Sequence, residues 1–241
     1  MTSKRPTYKE QGIVLHSSKY SERKLIVYML TASHGRRSYI LSVNKSATRA
    51  LFQPLYLLEF TATASTSEDG LHSLKEPLMN PPLRSIPSSP IKAMIVMTLS
   101  ELLYRVAKES DEAVYNFTKA AILALESLSS DTAVANFHIH FMVHFSALLG
   151  YAPCGDYYTG DYFDIKEGAF CRTQPQHTLY MKPDEASILY RLLCAPYYSL
   201  DTIKLSGEQR RHFLDSMIDY YGFHNQAIFS VRSISILGNI L

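Results

Sequence analysis

The chain has 241 residues, of which 46% are hydrophobic and 19% charged. That is room for one large domain or two small ones, and it excludes a disordered or collagen-like chain. The net charge is only +2, but the first fifty residues hold ten Lys and Arg against two Asp and Glu, leaving fourteen bases against twenty acids for the rest. A basic segment joined to an acidic body suggests an anion-binding module attached to a differently tasked remainder. Three cysteines, Cys154, Cys171 and Cys194, make no disulfide framework. No charged-then-apolar leader opens the sequence and no apolar run is long enough to span a bilayer, so a cytoplasmic protein is expected.

The N-terminal part reads as short strands. Gln11–Ser17, Lys24–Thr31, Arg36–Val43 and Leu55–Ala64 are rich in β-branched and aromatic residues. Leu58, Phe60, Ala62 and Ala64 alternate with Glu59, Thr61 and Thr63, as in a strand with one buried face. Ser33-His34-Gly35 and Asp69-Gly70 read as hairpin turns. About five short antiparallel strands suit a small closed barrel, which leaves no free edge. An SH3-like barrel or a small open sandwich fits the same pattern.

A seam follows. Pro77, Pro81, Pro82, Pro87 and Pro90 are five of the eleven prolines, and proline disfavours helix and central strand alike. The reading is a basic barrel over 1–78, a linker over 79–90 and a helical domain over 91–241. Ser89-Pro90 is a good helix start, followed by apolar residues at three- and four-residue steps from Ile91 to Val106. Asp111 can cap a second helix, from Val114 to Leu128. A third, from Asp131 to Gly150, is apolar almost all round and belongs at the centre. Residues 151–182 break into a loop-rich insert holding Tyr157, Tyr158, Tyr162 and Phe163. Helices resume at Pro183; Ser206-Gly207-Glu208-Gln209 reads as a capping box for one that stops at Gly222, and a short amphipathic stretch runs from Val231 to Leu241.

The candidate phosphate contacts are Lys19, Arg23, Lys24, Arg36, Arg37, Lys45 and Arg49, which barrel turns would gather on one face. Tyr20, Tyr28 and Tyr39 are interleaved with them and can stack on bases, or can simply fill the core. A rival reading has the basic barrel bind an acidic protein and never nucleic acid. His138, His140 and His144 lie on one helix, and His140 and His144 are one turn apart, a spacing that can share a metal. A metal hydrolase built there is the second rival, but no carboxylate lies among them and neutral packed histidines are expected. Cys154 and Cys171, even with His177 and Asp156, fall short of four well-spaced zinc ligands, so inert thiols and no metal are expected. No phosphate-cradling loop, no nucleophile elbow and no convincing carboxylate pair is present, and no catalytic activity is expected. Arg105 and Lys108 end the first helix; they pair with its dipole or flank a groove for an acidic peptide, on a domain separate from the barrel.

The run His16-Ser17-Ser18-Lys19-Tyr20-Ser21-Glu22-Arg23-Lys24-Leu25-Ile26-Val27, then Leu30-Thr31 and His34-Gly35, resembles the opening of the RecO family. Leu51-Phe52-Gln53-Pro54-Leu55 and Leu149-Gly150-Tyr151-Ala152-Pro153 resemble two later motifs of that family, in order. The resemblance implies an α+β fold: an N-terminal oligonucleotide-binding (OB) barrel, then an all-helical domain with a zinc-finger insert. It implies binding of single- and double-stranded DNA, strand annealing, and help to RecA in replacing single-strand-binding protein. RecR and the acidic tail of single-strand-binding protein are the implied partners, and the nucleoid the implied location. One departure is plain. Many relatives carry two Cys-x-x-Cys pairs after Leu-Gly-Tyr-x-Pro, where this chain has Cys154, Tyr157-Tyr158, and Cys171 with Arg172. The insert is therefore expected to be a metal-free remnant packed by Tyr157, Tyr162 and Phe163.

Overall fold

The computed structural model describes residues 6–43, 46–65, 70–107 and 112–241. Lys45, Asp69, Lys108 and Asp111 lie outside them, so the expectations placed on those four stay at the level of sequence. The described chain divides into two compact units, Met1–Glu126 and Ser127–Leu241.

In the first unit, β1 (Thr7–Ser21), β2 (Lys24–Thr31), β3 (Gly35–Ser42), β4 (Leu57–Thr63) and β5 (His72–Met79) close into a barrel of order β1-β2-β3-β5-β4. A short helix α1 (Ser46–Ala50) lies between β3 and β4 in sequence. β1 is long because it serves two neighbours: Thr7–Ile13 pairs with β4 and Gly12–Ser21 with β2, with register shifts on the β2 side between Val14 and His16 and between Lys19 and Ser21. The strands are not all antiparallel. β3 and β5 run parallel where they close the barrel, with Tyr39 opposite His72. Val14, Val27, Met29, Tyr39, Phe60 and Ala62 fill the interior.

Part of the proline-rich seam is regular structure. Pro77 lies inside β5, where the β4–β5 register skips between Glu59 and Thr61 and Glu76 takes a positive φ of 53°. A bulge is a place where a strand tolerates a missing N–H donor. Pro87 lies within the single-turn helix α2 (Ser85–Ser88). The Glu126 carboxylate accepts the backbone N–H groups of Arg84, Ser85 and Ile86 at 2.6, 2.7 and 2.9 Å, satisfying donors that a helix start leaves free. Burial alone would raise the Glu126 carboxyl; these three bonds and Lys92 outweigh it and hold it below its ordinary range. Buried Lys92 in turn donates to Ser85 Oγ at 2.6 Å and to the Glu126 carbonyl at 3.3 Å.

Helix α3 (Pro90–Val106) starts at Ser89, whose Oγ accepts the Lys92 N–H, with Pro90 in its first turn. It packs against β1, where Ser100 Oγ donates to the Leu15 carbonyl at 2.5 Å. Helix α4 (Glu112–Ser127) bears on the same strand: Tyr115 and Lys119 each donate to Gln11 Oε1 at 3.4 Å. Both helices thus fall, up to Glu126, in the compact unit of the barrel, beyond the seam at which the sequence suggested a division.

In the second unit, α5 (Asp131–Leu148) is buried on nearly every side, capped by Ser130 and followed by Gly150 at φ +89°. Asn136 Nδ2 donates to the carbonyls of Leu200 and Ile203, and Arg210 Nε donates back to Asn136 Oδ1. Helices α6 (Pro183–Cys194), α7 (Gly207–His224) and α8 (Ser233–Ile240) complete the helical body. The capping box of Ser206 and Gln209 is present. Gly222 does not end α7, which runs on to His224; it makes room for the Phe229 ring, which a Cβ there would meet at 2.3 Å. The insert is more ordered than a loop: β6 (Tyr162–Asp164), β7 (Ala169–Cys171) and β8 (Tyr180–Met181) form a small sheet of order β7-β6-β8 around buried Phe163. No helix among the described residues is long and apolar enough to cross a membrane.

Candidate nucleic-acid interface

The six described cations do not all share one face. Lys19, Arg23 and Lys24 are exposed together at the tip of the β1–β2 hairpin, where Ser21 pairs with Lys24. Arg49 is exposed in the last turn of α1, and Lys45 is outside the described residues. Arg36 and Arg37 diverge. On β3, Tyr39 and Leu41 face the core while Ser38 and Ile40 face away, so the period of two sends Arg37 inward and Arg36 outward.

Arg37 Nη1 donates to His72 Nε2 at 3.2 Å. Arginine only donates, so His72 Nε2 is the accepting nitrogen, and its Nδ1–H donates to Tyr8 Oη at 3.1 Å. Burial first, then Arg37, then His34 lower the His72 pKa and keep the ring neutral. Beside this group the buried Glu10 carboxylate holds His34 Nδ1 at 2.5 Å and accepts the Gln11 N–H at 3.0 Å. Arg37 is therefore held in a polar network with Tyr8 and His72, where the sequence reading has Arg36 and Arg37 each meet a phosphate.

Arg36 turns to α3. Its Nη1 donates to the Tyr104 carbonyl at 2.8 Å and its guanidinium lies 4.4 Å from the centre of the Tyr104 ring. Of the three tyrosines singled out, Tyr39 is fully buried in the core and burial raises its phenol pKa well above the ordinary value. Tyr20 is 62% exposed and Tyr28 half-buried, so these two are available for contact. Sequence reasoning missed His16 and Tyr104. His16 pairs with Tyr28 across β1 and β2, a register legible once the hairpin is drawn; Tyr104 joins them only through tertiary packing.

Arg105 is exposed next to Tyr104, with Nε 4.0 Å from Glu101 Oε1. It falls within the compact unit Met1–Glu126 that also holds the barrel, where the sequence reading sets it on a separate domain; Lys108, its expected companion, is outside the described residues.

Two of the three histidines of α5 are tied to backbone carbonyls. His140 Nε2 donates to the Ala195 carbonyl at 2.7 Å and His144 Nε2 to the Leu192 carbonyl at 3.2 Å. Burial pushes His138 down to about 3, helped by Arg210, and His140 down to about 4, helped by His144.

The insert does not fit the zinc that the family resemblance implies. Three residues after Cys154, where a Cys-x-x-Cys pair would place its second thiol, stands Tyr157, whose ring lies 4.5 Å from Tyr190 and 5.3 Å from Phe170. Three residues after Cys171 stands Gln174, which donates to Tyr180 Oη at 2.7 Å. His177 Nε2 is taken by Asp164 at 3.1 Å, and burial, then Asp164 and Asp161, raise the Cys171 thiol. Among the described residues no three His, Cys, Asp or Glu side chains form a group able to hold a metal ion.

Comparison with known proteins bears on both halves. The family described as Recombination protein O N terminal matches residues 3–81, and the one described as Recombination protein O C terminal matches residues 87–229. A DNA repair protein RecO of Bacteroides fragilis is 35% identical over 237 residues, covering 95% of this chain and 97% of its own. One from Phocaeicola vulgatus is 34% identical over 236 residues, with the same coverage, and one from Porphyromonas gingivalis is 30% identical over 225 residues, covering 89% and 91%. With the closed five-stranded barrel followed by a helical body, these matches show that the chain belongs to the RecO family of DNA repair proteins.

Proposed function

We propose that this chain is a recombination mediator that works by holding DNA and recombination proteins together, without turnover chemistry and without a metal cofactor. It binds single- and double-stranded DNA through the barrel, anneals complementary strands and, with RecR, helps RecA onto single strands covered by single-strand-binding protein. Its place of action is the cytoplasm, at the nucleoid. The observation that carries the reading is the group of exposed cations, Lys19, Arg23 and Lys24, at one hairpin tip of an OB-type barrel. Such a group neutralises neighbouring phosphates, which gives affinity without sequence preference. Arg49 would extend the track, and Arg36 would border it. The exposed Arg105 is the cation we assign to the acidic tail of single-strand-binding protein.

The test is an annealing assay with complementary oligonucleotides, run with and without an acidic peptide that ends in an aromatic residue and a free carboxylate. Acceleration by the wild-type chain, lost when Lys19, Arg23 and Lys24 are all changed to Ala, supports the reading. Peptide binding with no affinity for either form of DNA would instead make the barrel an acidic-protein scaffold.

A further inference from the structure

Outside the barrel core, three rings from three elements meet. His16 on β1 and Tyr28 on β2 are cross-strand partners with ring centres 5.9 Å apart and planes 26° from parallel. Tyr104, in the last turn of α3, stands 5.3 Å from His16 and 5.4 Å from Tyr28. His16 is exposed, and Tyr28 and Tyr104 are half-buried. Two cations address the Tyr104 ring, Arg36 at 4.4 Å and Arg105 at 5.8 Å. Along β2, Lys24, Ile26 and Tyr28 alternate onto the outward row while Leu25, Val27 and Met29 fill the core, so the cluster and the cationic hairpin tip share one side of the strand.

We propose that His16, Tyr28 and Tyr104 form a seat for one unpaired base of a single strand, with Arg36 beside it for the adjoining phosphate. The assignment rests on the nucleic-acid reading above. Aromatic faces beside guanidinium groups take any base, because every base has a π-face and its backbone is anionic. A duplex keeps its bases paired and stacked inward, so it has none to offer. An acidic peptide ending in one aromatic residue offers a ring only at its terminus, and its titration beside the nucleic acids separates the two occupants. The bond from Arg36 to the Tyr104 main-chain carbonyl fixes the α3 end of the seat independently of the Tyr104 side chain.

The experiment titrates His16→Ala and Tyr104→Leu, with the wild type, against a labelled single-stranded oligonucleotide, its duplex, and the same strand built of abasic sugars, over a range of salt. Each variant should bind the ordinary single strand roughly 5- to 100-fold more weakly, the usual effect of losing one stacking ring. The salt slope should not change, because no phosphate contact is removed. Affinity for the duplex and for the abasic strand should stay within twofold of wild type, so the wild type's preference for a strand with bases collapses. His16 is an exposed strand residue, so its variant decides the matter if Tyr104→Leu fails to fold. Unchanged single-strand binding by His16→Ala, beside a wild type that binds, overturns the seat and leaves the DNA reading standing. Equal losses on all three nucleic acids likewise overturn it, and a wild type that binds no strand overturns both. Loss of acidic-peptide binding alone would give this face to a protein partner and overturn the seat.

Discussion

Arg36 and Arg37 are consecutive on β3 and serve opposite sides of the barrel wall: Arg36 bonds the Tyr104 carbonyl on α3, and Arg37 bonds His72 on β5. A basic dipeptide that reads as two adjacent phosphate contacts is thus two separate devices. Arg37→Ala should leave the salt slope of DNA binding unchanged and cost about 1 kcal/mol of stability through the lost hydrogen bond. Arg37 is also the second of the causes that lower the His72 pKa, after burial. NMR titration should therefore find the His72 pKa higher in this variant than in the wild type. A flattened salt slope would put Arg37 on the DNA instead.

Glu126 holds the seam segment to α4 by accepting three backbone N–H groups. Removing it leaves those donors without their acceptor and takes a negative charge away from Lys92. Glu126→Ala should lower unfolding stability by about 2–3 kcal/mol, read as a lower urea midpoint at unchanged slope. A change under about 0.5 kcal/mol, the scale of an ordinary surface substitution, would contradict the role given to this carboxylate.

Acid should unfold the helical unit early. His138 and His140 are held at about 3 and about 4 in the folded chain against an ordinary value of 6.5, chiefly by burial. Below pH 6.5 the unfolded chain takes up protons that the folded chain refuses. Stability is therefore full above that pH and falls as pH drops toward 4, by up to about 1.4 kcal/mol per pH unit for each histidine. His138→Leu should remove close to one proton from the measured linkage between stability and pH. A wild-type stability independent of pH between 6.5 and 4.5 would contradict the burial assigned to these rings.

Purified without chelator, the protein should carry less than about one zinc per five chains, because a structural site needs four ligands and cannot close with fewer. Elemental analysis measures this directly. Stoichiometric zinc would point back to Cys154, Cys171 and His177.

Much of this architecture was legible because local chemistry decides it. The Ser89-Pro90 start and the Ser206–Gln209 box each close hydrogen bonds within one turn, and the structure has both. The alternation from Leu58 to Ala62 fixes the inward face of β4 in the same way. Features set by distant partners were not legible. Nothing near Pro77 tells that β5 bulges around it, nothing near Gly222 tells that Phe229 covers it, and the parallel β3–β5 closure joins segments far apart in sequence. At the candidate interface, exposure of Lys19, Arg23 and Lys24 followed from a charged hairpin tip, whereas Tyr104 reaches the barrel face only through the packing of α3. The divergence of Arg36 and Arg37 was within reach, since neighbours on a strand face opposite ways.

The central claim, that the hairpin tip neutralises DNA phosphates, is tested most directly by one measurement: affinity for a single-stranded oligonucleotide against salt, for the wild type and for the Lys19→Ala, Arg23→Ala, Lys24→Ala triple variant. The plot of log affinity against log salt should be steeper for the wild type by about 2, since each lost contact on a single strand removes roughly 0.7. Parallel lines from two folded proteins would contradict the claim.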